Sequence, residues 1–311
     1  MLEFVKMSKA FTLLELLVVI TIIGILSSIV IVSMSGSTDS ADIAKGKSYS
    51  QQVHALLGHE AVLDLNFNEN AYGSCPDGKD VCDASGYNNN GDISNNEAAY
   101  VLSSIDGYAL SFNGSSDYIN CGKNLSLDLE GGSKGTVGLW VKAISWPEEG
   151  EYPSIITKGN SGGWAAGSYH ISLWSGSIHF VLSAHKLGPP YYITIDYSYF
   201  DLDTWHYLLM TWNGTIFKAY IDGNSINNGV TQTVNAVQGE DQDLYIGRSN
   251  SYYFNGLVDE FSIYSEALSA TQIKKYYIQG LKNLLVKQSI TQTEYDQRME
   301  EFNKSLVSYE E

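Results

Sequence analysis

Charge is scarce in this chain, and positive charge scarcer still. Only 17% of its 311 residues are charged, with 18 Lys and Arg against 35 Asp and Glu, a formal net charge of −17. Such an acidic balance argues against nucleic acid or anionic lipid as a partner of the soluble part, because no basic patch is there to neutralise phosphate. The shortage of charge does not signal disorder, since 44% of the residues are hydrophobic and can supply a core. Cysteine is nearly absent, at three residues. With no Cys-x-x-Cys and no nearby His pair, the cysteines do not make up a tetrahedral zinc set. Cys75 and Cys82 bracket the polar segment SCPDGKDVC, in which Pro76 and Gly78 favour a turn. A disulfide between them suits an exported protein. Cys121, in YINCGKN, is left over as a small buried hydrophobe.

What is plentiful is glycine (29) and tyrosine (22), a composition suited to short strands joined by tight turns. The exception is the N-terminus. Lys6 and Lys9 precede the apolar run FTLLELLVVITIIGILSSIVIV, Phe11 to Val32. Roughly 20 residues of this kind cross a ~30 Å hydrocarbon layer as a helix. The two lysines place the N-terminal end on the cytoplasmic side and everything after residue 33 outside. The run is too long for a secretory signal, and no A-x-A cleavage site follows it. Within it stands one acid, Glu15, which is costly in lipid unless it has a partner or a function.

KAFTLLELLVVITIIGIL resembles the leader junction and first helix of type IV pilins and type II secretion pseudopilins. The resemblance implies that a prepilin peptidase cuts between Ala10 and Phe11, and that Phe11 becomes the N-methylated first residue. It also implies that Glu15 pairs with the N-terminal amine of a neighbouring subunit. Burying that amine and carboxylate together offsets the desolvation of each. Where the family has Gly before the cut, this chain has Ala10, so slower processing is expected. Residues 33–58 lack proline and continue at helical spacing, with Ile43, Gly46, Ser50, Val53 and Leu57 on one face. That stripe is thin and needs packing on the next domain. His54 and His59 have no partner at metal spacing.

From about residue 60, alternating segments such as AVLDLNF, GTVGLWVKA, SYHISLW and YYITIDYS are separated by turn clusters such as YNNNGD and NGSSD. This pattern predicts a sandwich or barrel. WHYLLMTWNGTIFKAYIDG reads as a hairpin turning at Asn213-Gly214. LDLNFNEN with DASGYNNNGD, YALSFNGSSDYI, the Trp205 hairpin, and IGRSNSYYFNGLVDEFSIYSEALSATQIKKYY together resemble the laminin-G-like, concanavalin A-like jelly roll. The expected fold class is therefore mainly β. An antiparallel jelly-roll sandwich (residues 59–280) follows a leader (1–10) and a transmembrane, pilin-type helix (11–58), and precedes an amphipathic helical tail (281–311). In the tail, ITQTEYDQRM can open a second, capped helix near Thr291.

The jelly roll hosts binding modules and glycosidases alike, so fold alone does not decide function. A retaining glycosidase needs two carboxylates ~5 to 5.5 Å apart across a cleft. In GLVDEFSIY strict alternation would point Asp259 and Glu260 to opposite faces, and no other strand offers paired acids on one face. The chain is not expected to be an enzyme. The resemblance instead suggests a structural calcium ion tying the last strand to an early loop, with Asp259, Asp83 and Asn88 as oxygen ligands and Asp117 a weaker candidate. Trp140, Trp205 and Trp212 sit among apolar neighbours and belong to the core. Trp164, Tyr191 and Tyr192, and Tyr252 and Tyr253 fall in expected loops and are the candidate sugar platforms.

These readings converge on a minor pilin-like subunit carrying an extracellular carbohydrate- or protein-binding adhesin domain. Its expected partners are other pilin subunits, the prepilin peptidase, the membrane, and a glycan or surface protein. The alternative is a secretion or DNA-uptake pseudopilin whose sandwich contacts cargo or sister subunits. An anchored glycosidase is the third reading.

Overall fold

The computed structural model describes residues 61–307 apart from 70, 95–97, 103–104, 106, 130–133, 160–168, 184–190 and 232–241, all within one compact unit, Lys45–Glu311. The expected leader and anchor helix, with Ala10, Phe11 and Glu15, lie outside the described residues, as does Trp164. Among the described residues no helix is long and apolar enough to cross a membrane.

The strands, in chain order, are β1 (Ala61–Leu65), β2 (Asp92–Ile93), β3 (Ala99–Leu102), β4 (Tyr108–Asn113), β5 (Ile119–Asn120), β6 (Lys134–Ala143), β7 (Ser154–Lys158), β8 (Tyr169–Trp174) and β9 (Ser177–Leu182). They continue with β10 (Tyr191–Asp196), β11 (His206–Asn213), β12 (Ile216–Ile221), β13 (Asn224–Thr231), β14 (Leu244–Ile246), β15 (Arg248–Ser249), β16 (Tyr252–Tyr253) and β17 (Asn255–Tyr264). An eight-stranded sheet has the order β13-β12-β11-β6-β17-β4-β3, with β1 also on β17. A seven-stranded sheet has the order β10-β9-β8-β7-β14-β5-β2, and β15 and β16 form a small ribbon. Every pairing is antiparallel, as the alternating pattern and short turns require. The Asn213-Gly214 hairpin between β11 and β12 forms, with the Asn213 side chain accepting from the backbone N–H groups of Thr215 and Ile216. Two further hairpins turn on two residues of positive φ each, Ser175-Gly176 and Asp222-Gly223, the geometry that matches strand twist.

Alternate residues of the two sheets meet in the sandwich core. Val137, Leu139 and Val141 of β6 and Leu208, Met210 and Trp212 of β11 face Ile156, Ile171 and Phe180 of the smaller sheet. The residues between them do not reach water either. Trp140, Tyr207, Leu209 and Tyr264 form a second cluster on the outer face of the large sheet. Two helices cover it, α1 (Ala270–Val286) and α2 (Gln292–Val307). Trp140 stacks on Tyr277 (5.7 Å between centroids, 17° between planes) and Tyr207 on Tyr276 (4.8 Å, 14°). Gly280 is required here, because a Cβ at that position would clash with the Trp140 ring. All three expected core tryptophans, Trp140, Trp205 and Trp212, are buried.

The helical boundary differs from expectation. The expected start of the tail at residue 281 falls inside one continuous helix, α1. It begins where Ser269 and Gln272 cap each other, the Ser269 Oγ accepting from Gln272 N and the Gln272 Oε1 accepting from Ser269 N. Ile273, Tyr276, Tyr277, Gly280, Leu281 and Leu284 then keep one buried stripe across the expected boundary. α2 starts as anticipated near Thr291, whose Oγ1 accepts from Glu294 N.

Candidate functional site

Strict alternation also fails at the Asp259-Glu260 pair. The β17 register shifts there, Glu260 takes a positive φ of 49°, and both side chains are buried. The reason is a seam in the sheet. Asn255–Val258 pair with β4, while Phe261–Tyr264 pair with β1, so one edge of β17 changes partner at this point. The Asp259 carboxylate occupies the seam, its Oδ2 accepting from Ile105 N (2.8 Å) and its Oδ1 from Glu260 N (2.8 Å).

The other expected cation ligands have comparable structural tasks. Asp83 accepts from three backbone N–H groups, those of Asp64, Ser85 and Asn89, at 2.9–3.0 Å. Asn90 caps Asp83 N, and the Asn89 amide donates to Val62 O, so the loop is stitched to β1. Asn88 supplies a turn residue of positive φ, 59°. Asp117 closes the β4–β5 turn by accepting from Asn113 N. Backbone donors thus take up part of the acceptor capacity of Asp83 and Asp259, and both carboxylates already have a structural task in the loop and at the seam. Among the described residues no group of three His, Cys, Asp or Glu side chains is placed to hold a metal. Beside this loop Cys75 and Cys82 form the expected disulfide, and Cys121 is buried with a free thiol whose pKa burial pushes up.

A different feature stands out at the sandwich end where the connections after β2, β4, β6, β8, β10, β12 and β14 emerge. The register places them together: Asn113 of β4 opposes Asn255, Ala143 of β6 opposes Gly256, and Asp196 of β10 opposes Ser177. These connections carry aromatic rings. Trp146 stacks on Tyr197 (3.9 Å, 4°) and meets Phe200 edge-on, and Phe200 packs on His206. His206 Nδ1 lies 2.7 Å from an Asp222 oxygen, and the other Asp222 oxygen accepts from Tyr207 N, which fixes the start of β11. Trp174 and Tyr199 are 49% and 71% exposed at this end. Tyr152, from the same connection as Trp146, packs on Tyr252 (4.4 Å).

Next to that pair, Arg248 sits in the angle between Tyr118 and Tyr245. Its Cζ lies 4.1 and 4.2 Å from the two ring centroids, and the rings stand at 73° to each other. Tyr253 approaches Tyr118 at 6.4 Å. Local chemistry accounts for the placement. Tyr245 points outward because Leu244 and Ile246 on either side point into the core. Gly247, at φ 89°, then turns the chain out into the β15–β16 ribbon, which leaves Arg248 opposite Tyr253.

The expected platform residues thus separate. Tyr252 and Tyr253 stand at the loop end in this aromatic group. Tyr191 and Tyr192 begin β10, opposite Val181 and Leu182, at the other end of the sandwich, with Tyr191 half-buried against the core and Tyr192 56% exposed. Sequence reasoning missed Tyr118, Tyr152, Tyr245 and Arg248. The available signal was alternation: Tyr118 and Tyr245 each directly flank an inward-facing isoleucine.

Comparison with known proteins agrees with this architecture. Residues 113–274, more than half of the chain, match the family profile described as concanavalin A-like lectin/glucanases superfamily. Residues 5–31 match the prokaryotic N-terminal methylation motif. No curated protein matches the chain. Among solved structures, the receptor binding domain of botulinum neurotoxin C/D mosaic serotype is 18% identical over 71% of this chain and 52% of its own, with a TM-score of 0.55. The binding domain of Paraclostridial Mosquitocidal Protein 1 is 17% identical over 73% and 53%, with a TM-score of 0.57. The binding domain of Botulinum Neurotoxin DC in complex with SialylT is 16% identical over 71% and 52%, with a TM-score of 0.52. The chain therefore spans about half the length of these structures, and the likeness is one of fold.

Proposed function

Because this chain belongs to the concanavalin A-like lectin/glucanases superfamily and opens with a prokaryotic N-terminal methylation motif, we propose that it is a minor pilin-like subunit displaying a ligand-binding sandwich outside the cell. The observation that carries this reading is the pairing of that motif with a sandwich whose loop end presents exposed aromatic rings. The motif supplies processing, anchoring and assembly with other pilin subunits. The sandwich supplies contact with a glycan or a surface protein, for which flat rings beside polar groups are suited. Binding rather than hydrolysis is favoured because Asp259 and Glu260 are buried at a sheet seam. Receptor-binding domains with the same fold support the coarse reading, surface recognition, and not a particular ligand.

The test uses Glu15→Ala in cells that assemble the pili. The variant is expected in the membrane in normal amount but lost from the filaments sheared off the surface. Equal recovery of variant and parent in the sheared fraction would sink the assembly part. Absence of the parent chain from sheared filaments would favour the secretion or uptake pseudopilin instead. Calcium enters as a condition to vary: ligand capture that disappears with chelator would call for a structural cation, with Asp83, Asn88 and Asp259 as the ligands to mutate first.

A further inference from the structure

The chain has two arginines, Arg248 and Arg298. Arg298 is fully used: it donates to Trp205 O and pairs with Glu294, each at 2.7 Å, and so pins α2 to the sandwich. Arg248 is held equally well by two rings, yet its guanidinium takes no hydrogen bond or ion pair among the described residues. That is out of place in a chain where acids outnumber bases 35 to 18 and a carboxylate partner is easily found. The guanidinium is half-buried, oriented by stacking, and left with a fork of donors that matches a planar carboxylate.

From this we infer that Arg248, Tyr118 and Tyr245 form the anchor of a binding site for a carboxylate-bearing sugar. A sugar suits the surroundings better than an acidic peptide. Tyr253 adds a flat ring beside Tyr118, a surface for the C–H face of a pyranose. Asp243 is fixed next door, accepting from the Asn120 amide (2.9 Å) and the Tyr245 hydroxyl (3.1 Å). It has acceptor capacity left for a sugar hydroxyl, a donor that the glutamate side chains of an acidic peptide lack. Arg248 takes the carboxylate and the rings take the ring face. This rests on the proposed role as a displayed binding domain and names the ligand class of that end.

The full chain in detergent micelles would be titrated with trigalacturonate, its methyl ester, sialyllactose, lactose and triglutamate. Both acidic sugars should bind, more weakly as salt rises, and the ester and lactose should not. Arg248→Gln is expected to weaken acidic-sugar binding about 10- to 100-fold, the loss of one charge-assisted contact. Tyr245→Phe, which keeps the ring, should retain it. Equal binding of acid and ester, or no effect of Arg248→Gln, would overturn the assignment while leaving a glycan-binding domain intact. Triglutamate bound as tightly as the acidic sugars would overturn the sugar class. Silence toward all five probes would overturn the site, whereas the display role stands or falls on the sheared-filament test. The acid-to-ester comparison uses the parent chain, so it decides the matter even where a variant misfolds.

Discussion

The two sheets of the sandwich share one core and differ in what lies behind them. The large sheet is sealed on both faces at its centre, where strands β6, β11 and β17 are buried almost without a break. The smaller sheet keeps the alternation of a half-exposed surface toward its β10 edge, where buried Ile193 lies between exposed Tyr192 and Thr194. The difference lies in the C-terminal helices, which convert the outer face of the large sheet into a second core. A ligand surface is therefore sought first at the loop end and at the β10 edge of the smaller sheet, where Trp174, Tyr199 and Tyr192 are exposed.

The largest expected effect breaks the sealed side. Trp140→Ala removes the ring that packs against both Tyr207 and Tyr277 and meets Gly280. The substitution should cost about 3–5 kcal/mol, measured by urea unfolding. A loss below about 1 kcal/mol would mean that the helices rest on the sheet without a shared core, and the comparison would fail.

A second experiment sharpens it, because the smaller sheet is not uniformly open. His170 points away from the sandwich core, since Tyr169 and Ile171 on either side point in, yet it is buried. Burial, and secondarily the neighbouring His179, lowers its pKa from 6.5 to about 4. His179 is lowered too, mainly by burial. The unfolded chain therefore takes up protons first, at ordinary histidine pH, so stability is complete above pH 6.5 and falls as pH drops toward 4. The loss traceable to His170 is on the order of 3 kcal/mol. Urea midpoints between pH 7 and 4.5 should fall less steeply in His170→Gln than in the parent. Parallel slopes would show that His170 is hydrated and the centre of the sheet is open after all.

Much of this contrast was legible in the sequence. The strands followed the alternation, Asn213-Gly214 turned a hairpin, and Cys75 and Cys82 were close enough in the chain to pair across a turn. What alternation could not show was its own interruption. The Asp259-Glu260 bulge arises because β1 and β4 share one edge of β17, a fact about strands far apart in the chain. The continuous burial of β6 and β11 likewise needed helices placed on the outer face, and reading the tail from residue 281 cut α1 in two. The Arg248 notch assembles the β4–β5 turn, β14 and the β15 ribbon. Its parts looked unremarkable until the fold brought them together, whereas Tyr252 and Tyr253 were visible as a local pair.

The smallest expected effect tests the open side directly. Tyr192 lies on the edge strand β10 and is 56% exposed, while its neighbour Tyr191 packs against the core. Tyr192→Ser should change stability by less than about 0.5 kcal/mol, because a side chain that stays in water on folding loses little when shortened. Its backbone pairing with Val181 does not depend on the ring. The same change at Tyr191 should cost at least about 1 kcal/mol, since it takes apolar surface out of the core. The pair of substitutions, one residue apart on the same strand, separates the buried face from the wet one by urea midpoint alone. Equal losses at both positions would mean that the outer face near β10 is covered in solution, and the search for a ligand surface would then narrow to the loop end.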